Sequence, residues 1–274
     1  MRRAGALLAG ALSLMGCHGP ERGLRFGTTT TVEQSGALTV VDSLWRGAPI
    51  QKVIGGSGQI LRAAAAGDLD IVITHAPALE AKWLGADRVA LRCPFVASRF
   101  AVVGPASDPA GVARATSAAD AMRRIAQRQV VFVSRGDSSG THMKELALWQ
   151  RAGIRPHGAP WYVESGSGQA ATLTIADERR GYALADLPTL VHVQDLRLRP
   201  LFTADPDLAN PYTLYLIRRN PEHPAARQFV TWALSTWRDH LTAEKLLDGS
   251  SPFTRRADTC GGNSPKKAAA GARR

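Results

Sequence analysis

Cysteine is scarce in this chain of 274 residues, and none of its three cysteines has the C-x-x-C spacing that is typical of a metal site. A G-x-S-x-G sequence, which presents the nucleophile in many hydrolases, occurs once, at Gly136-Asp137-Ser138-Ser139-Gly140. Asp68, Asp70 and Glu80 do not have metal-ligand spacing, and we expect them to be solvated charges. The cysteine and acidic spacings argue against a zinc protein.

Acidic side chains are few relative to basic ones, with 23 Asp and Glu against 34 Lys and Arg, so the formal net charge is +11. Such an excess first suggests a nucleic-acid partner. Arg2, Arg3 and the basic residues after position 254 carry much of it, however, and the body between them is only modestly positive. A modest positive field suits a small-anion binder better than a polyanion groove, so no nucleic-acid partner is predicted.

The first residues are typical of a targeting segment. Arg2 and Arg3 precede an apolar run over 4–15 that is too short to span a bilayer. The run leads into Leu14-Met15-Gly16-Cys17, which resembles a bacterial lipobox, so we predict a signal peptide over 1–16 and lipidation of Cys17. An ordinary signal peptide cleaved nearby is the alternative. In either case the mature protein works outside the cytoplasm, in the periplasm or at the cell surface, and the lipid on Cys17 is the only membrane contact that we predict.

Two cysteines remain, Cys93 in an apolar stretch and Cys260 at the start of a Gly-rich tail. An oxidising compartment would allow a disulfide between them, but we favour the alternative of a buried free thiol at Cys93. Residues 255–274 are basic and rich in small side chains, so we expect a disordered basic tail.

Strand-like and helix-like segments alternate along the chain, which predicts an α/β fold with largely parallel sheets. In such sheets, ligands bind beyond the carboxyl ends of the strands. Four polar turns rich in Ser, Thr or Gly join a strand to a helix at that position, namely 28–31, 55–58, 134–141 and 165–168. Any one of them could be an ordinary helix cap. Four of them, two in each half of the chain, can converge on one ligand held between two domains.

The turn over 134–142 is the most informative of the four. It follows an apolar run over 130–133 that indicates a strand, and it precedes a predicted helix over 143–152. A helix start leaves backbone N–H groups unpaired and carries partial positive charge, so it favours anions. Arg135 adds a planar and permanently charged guanidinium. This turn therefore predicts an anion site.

Several motifs spread over about 24–254 carry a family resemblance. They are Thr28–Thr31 with Ser35-Gly36, Gly56–Gly58, Val103–Pro105, Asp108–Gly111, Ser134–His142, Gly181–Asp186 and Asn210–Tyr212. Together they resemble the TupA-type tungstate-binding proteins, the solute-binding components of ABC importers. The resemblance implies a type II periplasmic-binding-protein fold, in which two α/β lobes joined by two crossovers close over the ligand. It places lobe I at 24–100 plus 207–254, lobe II at 101–206, and the crossovers near 97–104 and 196–212.

The chain departs from the family pattern at three places. Thr31 stands where the family usually has Ser, which keeps a hydroxyl. The segment Ala97–Phe100 replaces an Asn-Asp-Phe element, and Gln169-Ala170 replaces Met-Gly. The last two departures bear on the shape and selectivity of the site.

A tetrahedral oxyanion without protons accepts hydrogen bonds and donates none, so its cage should consist of donors. The predicted binding residues are Thr29, Thr30, Ser57, Arg135, Ser139, Thr141, Ser167 and Gly168. An ion pair with Asp137, or a solvated loop charge, is the alternative role for Arg135. No cofactor and no coordinated cation are predicted, and the ligand is tungstate or molybdate, which the sequence does not separate.

Asp137 bears on which oxyanion is bound. Phosphate keeps a proton near neutral pH, so a carboxylate acceptor in the cage would favour it, whereas tungstate and molybdate would be repelled. For a tungstate site we predict that Asp137 turns away and braces Arg135 or the loop backbone. A receptor for phosphate or sulfate is the alternative within the same class.

A hydrolase acting on phosphate esters is the alternative in another class, because His142 lies close in sequence to Asp137 and Ser138. We favour a capping or packing role for His142. His75 also follows a strand but has no obvious partner in the sequence. The prediction is therefore a monomeric binding protein, not an enzyme, that delivers its ligand to the permease and ATPase subunits of an importer.

Overall fold

The computed structural model of the chain describes residues 22–245, 251–257 and 259–261. The strands are β1 Leu24–Thr29, β2 Ile50–Gly55, β3 Ile71–Thr74, β4 Val89–Gly104, β5 Phe132–Ser134, β6 Tyr162–Glu164, β7 Ala183–Asp186, β8 Arg199–Phe202, β9 Ala209–Ile217 and β10 Thr254–Arg255. The longer helices are α1 Thr30–Gln34, α2 Ala37–Leu44, α3 Ser57–Ala66, α4 Pro77–Trp83, α5 Ala118–Arg128, α6 Gly140–Arg151, α7 Gln169–Glu178, α8 Leu187–His192, α9 Ala226–Trp232 and α10 Arg238–Ala243. A π-helical turn, Ala233–Trp237, joins α9 to α10.

The first lobe is built on a sheet in the order β10-β4-β9-β3-β1-β2. β1 pairs in parallel with both β2 and β3, whereas β9 is antiparallel to β3 and to β4. In the second lobe, β5 and β6 are parallel, and β7 and β8 are antiparallel to β4. The predicted α/β class is confirmed, but the sheets are mixed. Among the named strands, the expected parallel pairing is found between β1 and β2, between β1 and β3, and between β5 and β6.

β4 connects the two lobes. Its first part pairs with β9, and its last residues, Phe100–Gly104, pair with β7 and β8. β4 runs through Ser98 and Arg99 as one strand of 16 residues. Its register against β9 shifts between Pro94 and Ala97, which lets one strand serve two sheets.

Each lobe has its own aromatic core. In the first, Phe26 packs at 5.5 Å from Phe229 and 5.9 Å from Trp237, measured between ring centroids. In the second, Phe132 lies 5.1 Å from Trp149 and stacks on Tyr162 at 6.0 Å. Separate cores let the lobes move as units. The predicted lobe boundaries stay a prediction; Phe100 and Leu208, which they assign to lobe I, pack in the core of the second lobe.

The residues after α10 correct two expectations. Cys93 and Cys260 form a disulfide, so Cys93 is not a free thiol. Gly261 pairs with Arg92, and β10 pairs with β4. For 255–257 and 259–261 the expectation of disorder is therefore wrong, because a covalent link and strand pairing hold this segment on the first lobe.

The predicted signal peptide over 1–16, the lipidation candidate Cys17 and the tail after 261 lie outside the described residues. Within the described part, no helix is both long and apolar enough to cross a membrane.

Candidate functional site

The first lobe presents hydroxyl groups at one edge of its sheet. Because β1, β2 and β3 are parallel, the residues that follow them meet at the same edge. Thr29 ends β1 and caps α1, and its Oγ1 accepts the N–H of Val32 at 3.3 Å. Ser57 begins α3 just after β2, and His75 follows β3. All three side chains are buried, with 1–3% exposure.

The second lobe presents its own turns at the carboxyl ends of β5 and β6. Arg135 follows β5, and the turn continues to Ser139, whose Oγ caps α6 by accepting the N–H of His142. Ser165 follows β6, and Gly168 is the N-cap of α7. Two helix N-termini therefore point their partial positive charge at the same region.

The two edges touch each other. Arg135 donates from Nη1 to Thr31 Oγ1 at 3.1 Å and from Nη2 to Thr30 Oγ1 at 3.4 Å. The N–H of Gly140 donates to Ser57 Oγ at 3.1 Å. The N–H of Ala170 donates to the side-chain oxygen of Gln34 at 3.2 Å. These contacts hold the cleft closed.

Asp137 holds Arg135 in place. Its Oδ2 accepts from Nε of Arg135 at 3.1 Å and from Nη2 at 2.5 Å, and its Oδ1 accepts the N–H of Ser139 at 3.1 Å. Asp137 was predicted to brace Arg135 or the loop backbone, and it contacts both. Burial lowers the pKa of Arg135, and the charge of Asp137 opposes that shift. A guanidinium remains charged even so, and it lies 2% exposed between the lobes.

Five hydroxyls at the cleft act as acceptors, and each therefore keeps its own proton for a ligand. Thr30 and Thr31 accept from Arg135, Ser57 accepts from the backbone of Gly140, and Thr29 and Ser139 accept from helix N–H groups. Of these, Thr29, Thr30, Ser57 and Ser139 were predicted. Thr31 was not, although it is 1% exposed and receives the shorter of the two bonds from Arg135 to the threonines.

The remaining predicted hydroxyls donate within the protein. Thr141 donates to Oε1 of Gln169 at 3.2 Å, and Ser167 donates to the carbonyl of Ser165 at 3.1 Å. Nε2 of Gln169 donates to the carbonyl of Leu184, which leaves its oxygen for Thr141. In this arrangement Thr141 and Gly168 can offer a ligand only backbone N–H groups, and the N–H of Ser167 already donates to Ser165 Oγ at 3.2 Å. Gln169, one of the departures from the family pattern, thus takes up a hydroxyl that was predicted for the ligand.

His75 has a partner that the sequence did not reveal. Its Nδ1 lies 2.9 Å from Oδ1 of Asn210, and its ring stacks on Tyr212 with centroids 4.9 Å apart. Burial lowers the pKa of His75 to about 4, against the hydrogen bond to Asn210. Burial likewise raises the pKa of Asp186, which accepts from Asn210, to about 6. This cluster lies where β4, β7 and β9 pass from one lobe to the other.

The hydrolase hypothesis finds no support at His142. Nδ1 of His142 accepts the backbone N–H of Ser138 at 3.0 Å, so this nitrogen does not face the Ser138 hydroxyl as a base. His142 was predicted to have a capping or packing role, and its ring accepts a backbone N–H of the turn that precedes α6.

Of the acidic residues expected to be solvated, Asp70 and Glu80 are buried, so that expectation is wrong for these two. Asp70 accepts from Arg25, and Glu80 accepts from Thr74 and Tyr215; both carboxylates are 2–3% exposed. In the described ranges, no group of three or more His, Cys, Asp or Glu side chains could hold a metal ion.

Comparisons with known proteins agree with the fold. A family described as a PBP superfamily domain matches residues 18–236. The tungstate-binding protein TupA of Peptoclostridium acidaminophilum is 33% identical over 239 residues, which cover 83% of each chain. The "Putative ABC transporter anion-binding protein" of Haloferax volcanii is 35% identical over 226 residues; the match covers 79% of this chain but only 64% of that protein. The crystal structure of the tungstate ABC transporter from Geobacter sulfurreducens has 34% sequence identity and a TM-score of 0.71, over 81% of this chain and 100% of that one.

Proposed function

The chain belongs to the PBP superfamily and, within it, to the TupA-type tungstate-binding proteins, and we propose that it captures tungstate between its two lobes for an ABC importer. It is a solute-binding protein and not an enzyme. Its ligand is the oxyanion itself, with no further cofactor.

The contact of Arg135 with Thr30 and Thr31 carries the proposal, because it joins the two lobes at a cationic side chain. A dianion at this point would accept from the guanidinium and from the threonine hydroxyls at once. Charged hydrogen bonds of this kind contribute roughly 1.5–3 kcal/mol each. Binding at the contact between lobes also favours the closed form, which is the form that an importer can distinguish from the empty protein.

The position of Asp137 supports a fully deprotonated ligand. Oδ2 accepts twice from Arg135 and Oδ1 accepts from the N–H of Ser139, so the carboxylate is directed at protein donors, which disfavours a role as acceptor for the proton that phosphate carries near neutral pH. This favours tungstate or molybdate over phosphate. Tungstate and molybdate share charge and nearly share size, and the names of the relatives favour tungstate.

The partners and location follow from the same assignment. We infer that the protein acts in the periplasm or at the cell surface as a monomer, anchored through Cys17, and that it docks on permease and ATPase subunits. The leader sequence supports the anchor. The basis for the transporter partners is the family.

Isothermal titration of the purified protein with tungstate, molybdate, sulfate and phosphate tests the ligand. We expect tungstate to bind with micromolar or tighter affinity and phosphate to bind far more weakly. Absence of tungstate binding in that range would refute the proposal. Tighter binding of phosphate would move the chain to the alternative class of receptor.

A further inference from the structure

The imidazole of His75 lies against the start of α6 from the opposite lobe. A β-carbon added to Gly140, the first residue of α6, would lie 2.9 Å from Cε1 and 3.2 Å from Nε2 of His75. The N–H of the same glycine donates to Ser57 Oγ. The imidazole edge, the Ser57 hydroxyl and the positive end of α6 therefore share one small region between the lobes.

The hydrogen bonds around Asn210 fix the tautomer of His75. Nδ2 of Asn210 lies 2.8 Å from the carboxylate of Asp186 and 3.0 Å from Ser98 Oγ, which identifies it as the donating nitrogen. Oδ1 of Asn210 therefore faces His75, and Nδ1 of the ring donates to it. In the neutral ring Nε2 then carries no hydrogen. This nitrogen is buried and has no hydrogen-bond partner.

A bare nitrogen does not suit an oxyanion that carries no proton. Both groups are acceptors, and such a pair in a buried site is repulsive. Arg135 is the charged group that acts on His75, and its own positive charge is opposed by two carboxylates, Asp137 and Asp186. Glu80 on the neighbouring α4 already accepts from Thr74, Ala76 and Tyr215. A bound dianion would make the net charge of the cleft more negative unless a proton were bound with it.

We propose that His75 is an additional anion-contacting residue, which binds a proton from solvent at Nε2 when the oxyanion enters the cleft. The proposal rests on the proposed function. The proton converts Nε2 from an acceptor to a donor, and the imidazolium offsets one charge of the dianion. The Nδ1–H bond to Asn210 is kept, so the ring needs no rearrangement.

Asp186 is the competing site for the proton, and its surroundings argue against it. Its carboxylate accepts from Ser98, Asn210 and Tyr212, so a proton there would displace one of these donors. Nε2 of His75 has no donor to displace.

Proton uptake has a defined sign. In the closed form without a ligand, burial lowers the pKa of His75 to about 4, so the ring is neutral at pH 7, and the bound dianion raises that pKa. Between the two values the complex holds one proton more than the free protein. Tungstate affinity therefore falls about tenfold for each pH unit of increase within that window.

Titration of the wild-type protein with tungstate at pH 7.5, in two buffers with different heats of ionisation, measures the uptake. We expect close to one proton per tungstate. Tight binding with no proton uptake would overturn the role of His75 and leave the proposed function standing. Absence of tungstate binding would overturn both.

Variants and nuclear magnetic resonance assign the proton. We expect His75→Gln to lose the uptake, and Asp186→Asn and the exposed His240→Gln to keep it. Uptake that persists in His75→Gln, or disappears in Asp186→Asn, would contradict the proposal. The ¹⁵N signals of histidine-labelled wild-type protein report on it without any variant: tungstate should protonate Nε2 of one ring, and unchanged signals would overturn the proposal.

Discussion

Gly140 and His75 meet across the cleft at a distance that leaves no room for a side chain on the glycine. An added β-carbon would lie 2.9 Å from Cε1 of His75, and the ring cannot retreat easily because it is stacked on Tyr212 and bonded to Asn210. Glycine is therefore required here for close approach of the two lobes. The start of α6 thereby lies next to the imidazole and bonds to Ser57.

The variant Gly140→Ala should bind tungstate at least about tenfold more weakly, because the methyl group opposes closure. Isothermal titration gives the affinity, and small-angle X-ray scattering in excess tungstate should show a larger radius of gyration than for wild type. Gly58→Ala is the matched control, since its methyl group would meet only the end of Arg62 at 3.5 Å. Wild-type affinity in Gly140→Ala would contradict this account of closure.

A comparison of two threonines near the end of β1 distinguishes a ligand-binding role from a structural role. Thr31 and Thr28 are both buried, but Thr31 Oγ1 accepts from Arg135 whereas Thr28 Oγ1 donates to the carbonyl of Ile73 at 3.2 Å. We expect Thr31→Val to weaken tungstate binding about tenfold. Thr28→Val should keep the affinity and lose about 1 kcal/mol of unfolding free energy. Titration and urea denaturation of both variants measure the contrast, and equal affinities would refute it.

Removal of Arg135 should abolish tight binding while the fold survives. Loss of the guanidinium removes a charged hydrogen bond of roughly 1.5–3 kcal/mol and leaves Asp137 as an uncompensated negative charge beside the anion, which together predict an affinity at least about a hundredfold lower in Arg135→Ala. Circular dichroism checks the fold, and isothermal titration measures the affinity. Arg124→Ala is the control, because that arginine forms a surface pair with Asp120. Unchanged affinity in Arg135→Ala would remove this residue from the site.

The sequence could predict those parts of the site that follow from local patterns. The strand–turn–helix at Arg135 and the polar turns at Thr29 and Ser57 come from segments that are contiguous in the chain. What escaped prediction depends on contacts between distant segments. Thr31 is distinguished from Thr28 only by the guanidinium 104 residues away, and His75 acquires its meaning from Asn210, 135 residues away.

For the same reason, the sequence favoured a free thiol over the disulfide. Cys93 and Cys260 are separated by 167 residues, and no local pattern indicates that the segment after α10 returns to β4. Similarly, the mixed sheet arises because β9 inserts between β3 and β4, which strand and helix periodicity cannot show.

Loss of the disulfide should destabilise the protein. Closing a long loop restricts the unfolded chain, so Cys260→Ser is expected to lose about 2–4 kcal/mol of unfolding free energy. Urea denaturation measures this loss. A reducing agent should lower the stability of wild type by a similar amount and leave the variant unchanged. A response of the variant to the reducing agent would show that the effect has another source.

Glu145 should make stability depend on pH. Its carboxylate accepts from Ser134, Trp149 and Tyr162 in the second core, and burial raises its pKa from 4.5 to about 7. The folded state then holds the proton more tightly than the unfolded chain. The stability that this proton contributes is fully present at low pH and is lost as pH rises from 4.5 to 7.

The unfolding free energy of Glu145→Gln, relative to that of wild type, should therefore rise by roughly 3 kcal/mol between pH 5 and pH 8. Urea denaturation at the two pH values measures the difference, with the exposed Glu178→Gln as the control. A difference that does not change with pH would contradict the shifted pKa of Glu145.

The location of bound tungsten tests the central claim most directly. An anomalous difference map from crystals grown with tungstate, collected at a tungsten absorption edge, places the metal independently of any assumption about the cage. The account predicts one strong peak between the guanidinium of Arg135 and the hydroxyls of Thr31 and Ser57, with Asp137 still turned to Arg135. A peak elsewhere, no peak, or a carboxylate oxygen of Asp137 within hydrogen-bond distance of the anion would contradict it.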